Sequence, residues 1–130
     1  MKLFEQYQFQ PFVKETIQEL NFKSPTNIQK SVIPLVYKYI DVIGISQTGT
    51  GKTHAFLIPI MDMIDVEKEC VQAANTAPTG QLASQIYDHA KLFVKHNPDL
   101  KVSLIIGGSE KQKAINKLST QPHIVIGTPG

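Results

Sequence analysis

The run Ser46-Gln47-Thr48-Gly49-Thr50-Gly51-Lys52-Thr53, directly after the apolar stretch Val42-Ile43-Gly44-Ile45, constrains the fold more than any other feature of the chain. It ends in Gly-x-Gly-Lys-Thr, the pattern of a phosphate-binding loop between a strand and a helix. Such a loop turns backbone N–H groups inward around a phosphate, and the positive end of a helix dipole lies behind them. Gly49 and Gly51 allow the close approach. Lys52 would reach the β- and γ-phosphates as a flexible point charge, and the Thr53 hydroxyl would ligate the bridging Mg²⁺. The general pattern opens with Gly where this chain has Ser46, a departure that fits some branches of such loops and not others.

At 130 residues the chain has the size of one domain, and an apolar share of 42% is ordinary for a globular protein. The apolar run from Ala55 to Met63 is broken by Pro59 and Asp62 and is far short of the ~20 residues of a bilayer span. The N-terminus lacks the apolar core of a signal peptide, and Cys70 is alone, with no internal disulfide partner. The expectation is a cytoplasmic protein with no membrane partner. A net charge of +2 does not by itself argue for nucleic acid, and all 13 basic residues are Lys. Without Arg there is no bidentate fork, so contact with a nucleic-acid backbone must come from Lys, hydroxyls, backbone N–H groups and helix ends.

Pro11 opens a helical pattern through Leu20, and Ile28, Val32, Leu35, Val36 and Tyr39 mark a second helix, interrupted or kinked by Pro34. Val42 to Ile45 reads as a buried strand and Gly51 to about Met63 as the helix leaving the loop. The acidic segment Asp62 to Glu69 reads as a solvated connection. Val71 to Thr76 stands where a second strand is expected, although Asn75 is polar where a parallel strand is normally apolar on both faces. A helix over Gly80 to His96 has Leu82, Ile86, Ala90 and Phe93 on one face. A strand Val102 to Ile106, a charged helix Glu110 to Leu118 and a strand His123 to Ile126 complete the pattern. Strands alternating with helices predict an open, mostly parallel α/β sheet with flanking helices. Ligands then gather at the strand ends, where the loops at Ser46, Ala77, Gly107 and Gly127 lie.

Upstream of the loop stands Asn21-Phe22-Lys23-Ser24-Pro25-Thr26-Asn27-Ile28-Gln29. With the loop, this segment resembles the Q motif and phosphate loop of DEAD-box RNA helicases, in the first RecA-like domain. The resemblance implies ATP (with ADP) and Mg²⁺ as ligands, an aromatic residue at Phe22 stacking on adenine, and the Gln29 amide hydrogen-bonding its edge. Pro25 and Thr26 would line the same pocket. A primary amide suits the task, because it carries both a donor and an acceptor. Phe4 matches another aromatic that the family keeps near this pocket. Asn21 stands in place of the family's usual Gly, and Asn also tolerates left-handed backbone geometry.

Ala77-Pro78-Thr79-Gly80-Gln81-Leu82-Ala83 resembles the family's APTRELA element, with Gly80 for Arg and Gln81 for Glu. Gly107-Gly108 and Thr128-Pro129-Gly130 match its later GG and TPG elements. The resemblance places Pro78, Thr79, Gly80, Gly107, Gly108, Thr128, Pro129 and Gly130 on the RNA side. It implies that residues 1–130 are the N-terminal portion of the helicase ATP-binding domain, with the Q motif at 21–29. On this reading the chain stops before the acidic Asp-Glu-Ala-Asp strand and before the second RecA-like domain. The parent protein is then expected to be an ATP-dependent RNA helicase, of a bacterial cold-shock type by its short N-terminus. Lys52 and Thr53 are expected to be catalytic residues of the parent protein, whereas the fragment alone is expected to bind nucleotide at most and to be poorly stable or associated. Two other readings are a different phosphate-loop enzyme, which gives no reason for Phe22 and Gln29, and a decayed, non-catalytic nucleotide-binding module.

Overall fold

The computed structural model describes residues 3–47, 49, 51–106 and 111–129. It divides into two compact units, one ending at Met63 and the other beginning at Ile64.

The first unit is helical. A 3-10 turn at Phe4–Gln6 precedes α1 (Pro11–Glu19), α2 (Asn27–Tyr37) and α3 (Lys52–Met63). Pro11 occupies the first turn of α1, where its missing N–H leaves no bond unmade. Phe12, Val13, Thr16 and Ile17 form the buried face of α1, and the Thr16 hydroxyl donates to the Phe12 carbonyl at 2.8 Å. The helix ends in a Schellman arrangement: Phe22 N–H reaches the Ile17 carbonyl and Asn21 N–H the Gln18 carbonyl. Asn21 takes φ 63°, the left-handed conformation that its residue type allows. α2 runs through Pro34 without interruption and packs along α3. It ends in the same way, with Tyr39 at φ 58° and Ile40 N–H on the Leu35 carbonyl. The core is built from Phe9, Val13, Ile33, Leu57, Ile58 and Met61.

The expected buried strand at Val42 to Ile45 is not formed. The segment carries no strand, and Ile43 and Ile45 are 91% and 89% exposed. A strand needs a ladder partner for its N–H and C=O groups, and none of the described strands pairs with this one.

The second unit is a three-stranded parallel sheet in the order β1 (Ala73–Thr76), β3 (Ile124–Gly127), β2 (Val102–Ile105). Central position explains why Ile124 and Ile126 are fully buried. Helix α4 (Gly80–His96) packs on β2 and β3, and α5 (Lys111–Ser119) packs on β2. The buried face of α4 is Ala83, Ile86, Ala90 and Phe93; Leu82, expected there, is 39% exposed. Ala83 takes its place, three residues before Ile86 and seven before Ala90, at the i, i+3, i+7 spacing of one helical stripe. Just before β3, His123 is buried and uses both ring nitrogens. Nδ1 accepts from Lys101 N–H at 3.0 Å, and Nε2 lies 3.1 Å from the Val66 carbonyl, so the proton sits on Nε2. One imidazole thereby ties the entries of β2 and β3 to the segment that leads to β1.

Candidate nucleotide site and strand-end face

The nucleotide-site candidates lie in the first unit. Thr26 caps α2, with its side chain accepting from Gln29 N–H at 3.4 Å, while Gln29 Oε1 accepts from Thr26 N–H at 2.9 Å. This reciprocal box fixes the Gln29 side chain, which is only 2% exposed. Its Nε2 donates to the Gly51 carbonyl at 3.2 Å. An amide has two N–H groups and two lone pairs, so among the described residues these bonds leave one donor and one acceptor uncommitted.

Gly49 and Gly51 adopt φ of 83° and 86°, conformations that favour glycine. An ideal Cβ on Gly51 would stand 2.4 Å from Gln29 Nε2 and 3.3 Å from Thr26 Oγ1, so the loop passes hard against the α2 cap. The Gly51 carbonyl also accepts from Ala55 N–H at 3.1 Å, in the first turn of α3. Lys52 Nζ donates to the Ser46 carbonyl at 2.7 Å, closing the loop on itself. Gln47 is described and exposed, Thr53 is half-buried in the first turn of α3, and Thr48 and Thr50 lie outside the described residues.

Phe22 sits beside this cap. Its ring stacks on Phe4 at 6.3 Å and 29°, and meets His54 edge-on at 5.1 Å and 89°. Phe4 is 2% exposed, with its N–H on the Lys23 carbonyl at 2.9 Å, so it supports Phe22 from behind. Pro25 is buried before the cap. Sequence reasoning overlooked His54, although its place directly after Lys52-Thr53 puts it on the loop helix by necessity. A groove of about 650 Å³ lies against Phe22 on the α1 side, lined by Leu3, Phe4, Ile17, Gln18 and Asn21 among others. Neither Gln29 nor any described residue of the loop lines it.

Asp62 was expected to be solvated. Instead its carboxylate accepts from Gln10 N–H at 2.7 Å and from the Tyr37 hydroxyl at 2.5 Å, and its carbonyl accepts from Gln10 Nε2 at 2.6 Å. Burial, then the hydrogen bond to Asp62 and its negative charge, push the Tyr37 hydroxyl well above the ordinary tyrosine range. This hub holds the far end of α3 to α2 and to the start of α1.

The expected RNA-side residues lie in the second unit, and the described ones come together. The Thr79 hydroxyl caps α4 by accepting from Leu82 N–H at 3.1 Å. Ala77 N–H donates to the Gly127 carbonyl at 2.9 Å, and Thr128 N–H to the Ile105 carbonyl at 3.1 Å. Pro78, Thr79, Gly80, Thr128 and Pro129 therefore share the carboxyl end of the sheet, while Gly107, Gly108 and Gly130 lie outside the described residues. Asn75, whose polarity stood out in the sequence, is in β1 after all, and its Nδ2 is buried with no hydrogen-bond partner among the described residues. Among the described residues no group of three or more His, Cys, Asp and Glu is placed to hold a metal ion.

A glycine loop with left-handed backbone, leading into a helix through Lys-Thr and accompanied by a parallel α/β sheet, defines a phosphate-loop nucleotide-binding protein. The family model of DEAD/DEAH box helicases matches residues 26–130, and the chain belongs to that family. It is 48% identical over 128 residues to the DEAD-box ATP-dependent RNA helicase CshB of Listeria monocytogenes, covering 98% of this chain and 29% of that protein. The Bacillus subtilis CshB is 49% identical over 129 residues, covering 98% of this chain and 30% of the relative. The crystal structure of a DEAD box protein from Methanococcus jannaschii superposes with a TM-score of 0.88 at 31% identity, over 99% of this chain and 35% of that one. The chain thus spans about 30% of the length of these curated relatives.

Proposed function

We propose that residues 1–130 are the N-terminal portion of the first RecA-like domain of an ATP-dependent RNA helicase, with the Q motif at 21–29 and the phosphate loop at 46–53. In the parent protein this part holds ATP and couples its binding and hydrolysis to remodelling of an RNA duplex, in the cytoplasm. The observation that carries the reading is the bond from Gln29 Nε2 to the Gly51 carbonyl. It makes the residue suited to reading adenine and the loop suited to phosphate one continuous structure. The remaining donor and acceptor of the Gln29 amide match the paired acceptor and donor on the edge of adenine, whereas guanine keeps the N7 acceptor and puts the O6 acceptor where adenine has its amino donor. Phe22, backed by Phe4, offers the base a ring to stack on.

Lys52 would leave the Ser46 carbonyl for the β- and γ-phosphates, and Thr53 would hold Mg²⁺, whose charge neutralises the phosphate oxygens. One hydroxyl is not a complete magnesium site, and phosphate oxygens and waters would supply the other ligands. The Thr79 and Thr128 hydroxyls and the first-turn N–H groups of α4 at Gly80 and Gln81 would meet an RNA phosphate.

Nucleotide choice tests the proposal. The full-length protein should bind ATP at least about tenfold more tightly than GTP, and Gln29→Ala should remove most of that preference, an effect of ~1–3 kcal/mol for a lost bidentate match. Equal affinity for the two nucleotides, or an unchanged ATP affinity in the variant, would defeat the adenine-reading role.

A further inference from the structure

In the second unit, an ideal Cβ on Gly80 would lie 2.8 Å from Ile106 Cγ2. Backbone conformation does not require a glycine there, because Gly80 opens α4 and is not among the left-handed residues. Space does. Ile106 is β-branched and stiff about χ1, so its Cγ2 cannot swing away as the end of a long side chain could. A second tight contact lies next to the first: an ideal Cβ on Gly127 would stand 2.2 Å from the Ile105 carbonyl, which accepts from Thr128 N–H. The Gly127 carbonyl in turn accepts from Ala77 N–H. Two glycines without room for a side chain therefore interlock the segments that follow β1, β2 and β3.

We propose that Ile106, seated on Gly80, is a positioning residue for the RNA-contacting face. It fixes the segment after β2 against the first turn of α4, so that Thr79, the α4 N-terminus and Thr128 keep one mutual arrangement. The inference rests on the RNA-helicase reading. With Ile106 in place, position 80 cannot take a side chain, including the Arg that the resemblance would place there, without displacing Ile106. RNA binding at this face then depends on the placement of hydroxyls and backbone N–H groups, with Ile106 holding that placement.

The test is a double-mutant cycle in the full-length protein, read as affinity for a single-stranded oligouridylate in the presence of a non-hydrolysable ATP analogue. Gly80→Ala should weaken RNA binding about tenfold by displacing Ile106, and Ile106→Ala about threefold by leaving a gap, effects in the range of coupling between contacting residues. The double variant should bind within about threefold of the wild type, because the new methyl on residue 80 occupies the space of the lost Cγ2. A merely structural role would lower stability without this reciprocal recovery of RNA affinity at a temperature where every variant is folded. Losses that simply add, or a Gly80→Ala variant that binds RNA as the wild type does, overturn the proposal. If the wild type binds no RNA, the helicase reading fails and the positioning role falls with it. The thermal midpoints would then still show whether the two side chains share one space, by falling in Gly80→Ala and recovering in the double variant.

Discussion

Gly51 is glycine for two independent reasons, a φ of 86° and a Gln29 Nε2 only 2.4 Å from where a Cβ would stand. Gly51→Ala should therefore cost about 1–3 kcal/mol from backbone strain, with a further penalty for displacing a side chain that is 2% exposed. Denaturant unfolding of the full-length variant measures the loss, and nucleotide affinity should fall with it. Gly49, with nothing within 4 Å of an added Cβ, carries only the strain of its φ, so Gly49→Ala should be milder. Tyr37 offers a pH-dependent check. Its hydroxyl titrates above the ordinary value of 10.0, so the folded state holds that proton more tightly than the unfolded chain. The stabilisation is complete below about pH 10 and is lost as pH rises beyond it. Alkaline unfolding followed by tyrosinate absorbance should lose this component in Tyr37→Phe; an identical alkaline profile would mean that the Asp62 hydrogen bond contributes nothing. At this scale the sequence was informative where residue chemistry is local. Asn21 in the left-handed region and Thr79 as an N-cap follow from their types. The Gly80 contact with Ile106 and the Tyr37–Asp62 bond, between residues 26 and 25 positions apart, do not, because nothing local signals a neighbour supplied by the fold.

Among the elements, α4 was legible to its ends because Thr79 caps it and Asn97-Pro98 terminates it. Val42 to Ile45 was misread for a physical reason: an apolar β-branched run records what a segment is suited to, whereas a strand exists only when another strand accepts its hydrogen bonds. The same run is fit to be buried and is exposed here, with Ile43 at 91%. Exposed, unpaired apolar backbone of this kind invites association. Hydrogen exchange can separate the two states. In the 130-residue chain the amides of Val42 to Ile45 should exchange without protection, and in a full-length protein they should be slowed by at least about a hundredfold, the signature of ladder hydrogen bonds opening only with the fold. Equal, fast exchange in both proteins would show that the segment is never a strand.

For the molecule, the division of labour between binding and turnover follows from where the acids are. Phosphoryl transfer depends on positioned charge: a metal held over the β- and γ-oxygens and a group that orients the attacking water. On the proposed reading, Lys52 and Thr53 at the start of α3 supply the loop side of that apparatus. The acid nearest in sequence on α3 is Asp62, and its carboxylate is committed to Gln10 and Tyr37 at the other end of the helix from Lys52. A 12-residue helix is about 18 Å long, far beyond the reach of a shared metal site. No acidic group gathers elsewhere among the described residues to take its place. On the proposed reading, the 130-residue chain should bind ATP through Gln29 and the loop and release phosphate no faster than the buffer. The full-length protein should turn over at a rate above that background, and Lys52→Ala should abolish turnover by removing the charge on the β- and γ-phosphates. Phosphate release from the two proteins at equal site concentration decides the matter. Comparable turnover by the short chain would mean that the water is oriented and the metal held by groups already within it, and the search for the catalytic acid would move to Asp41 and the loop itself.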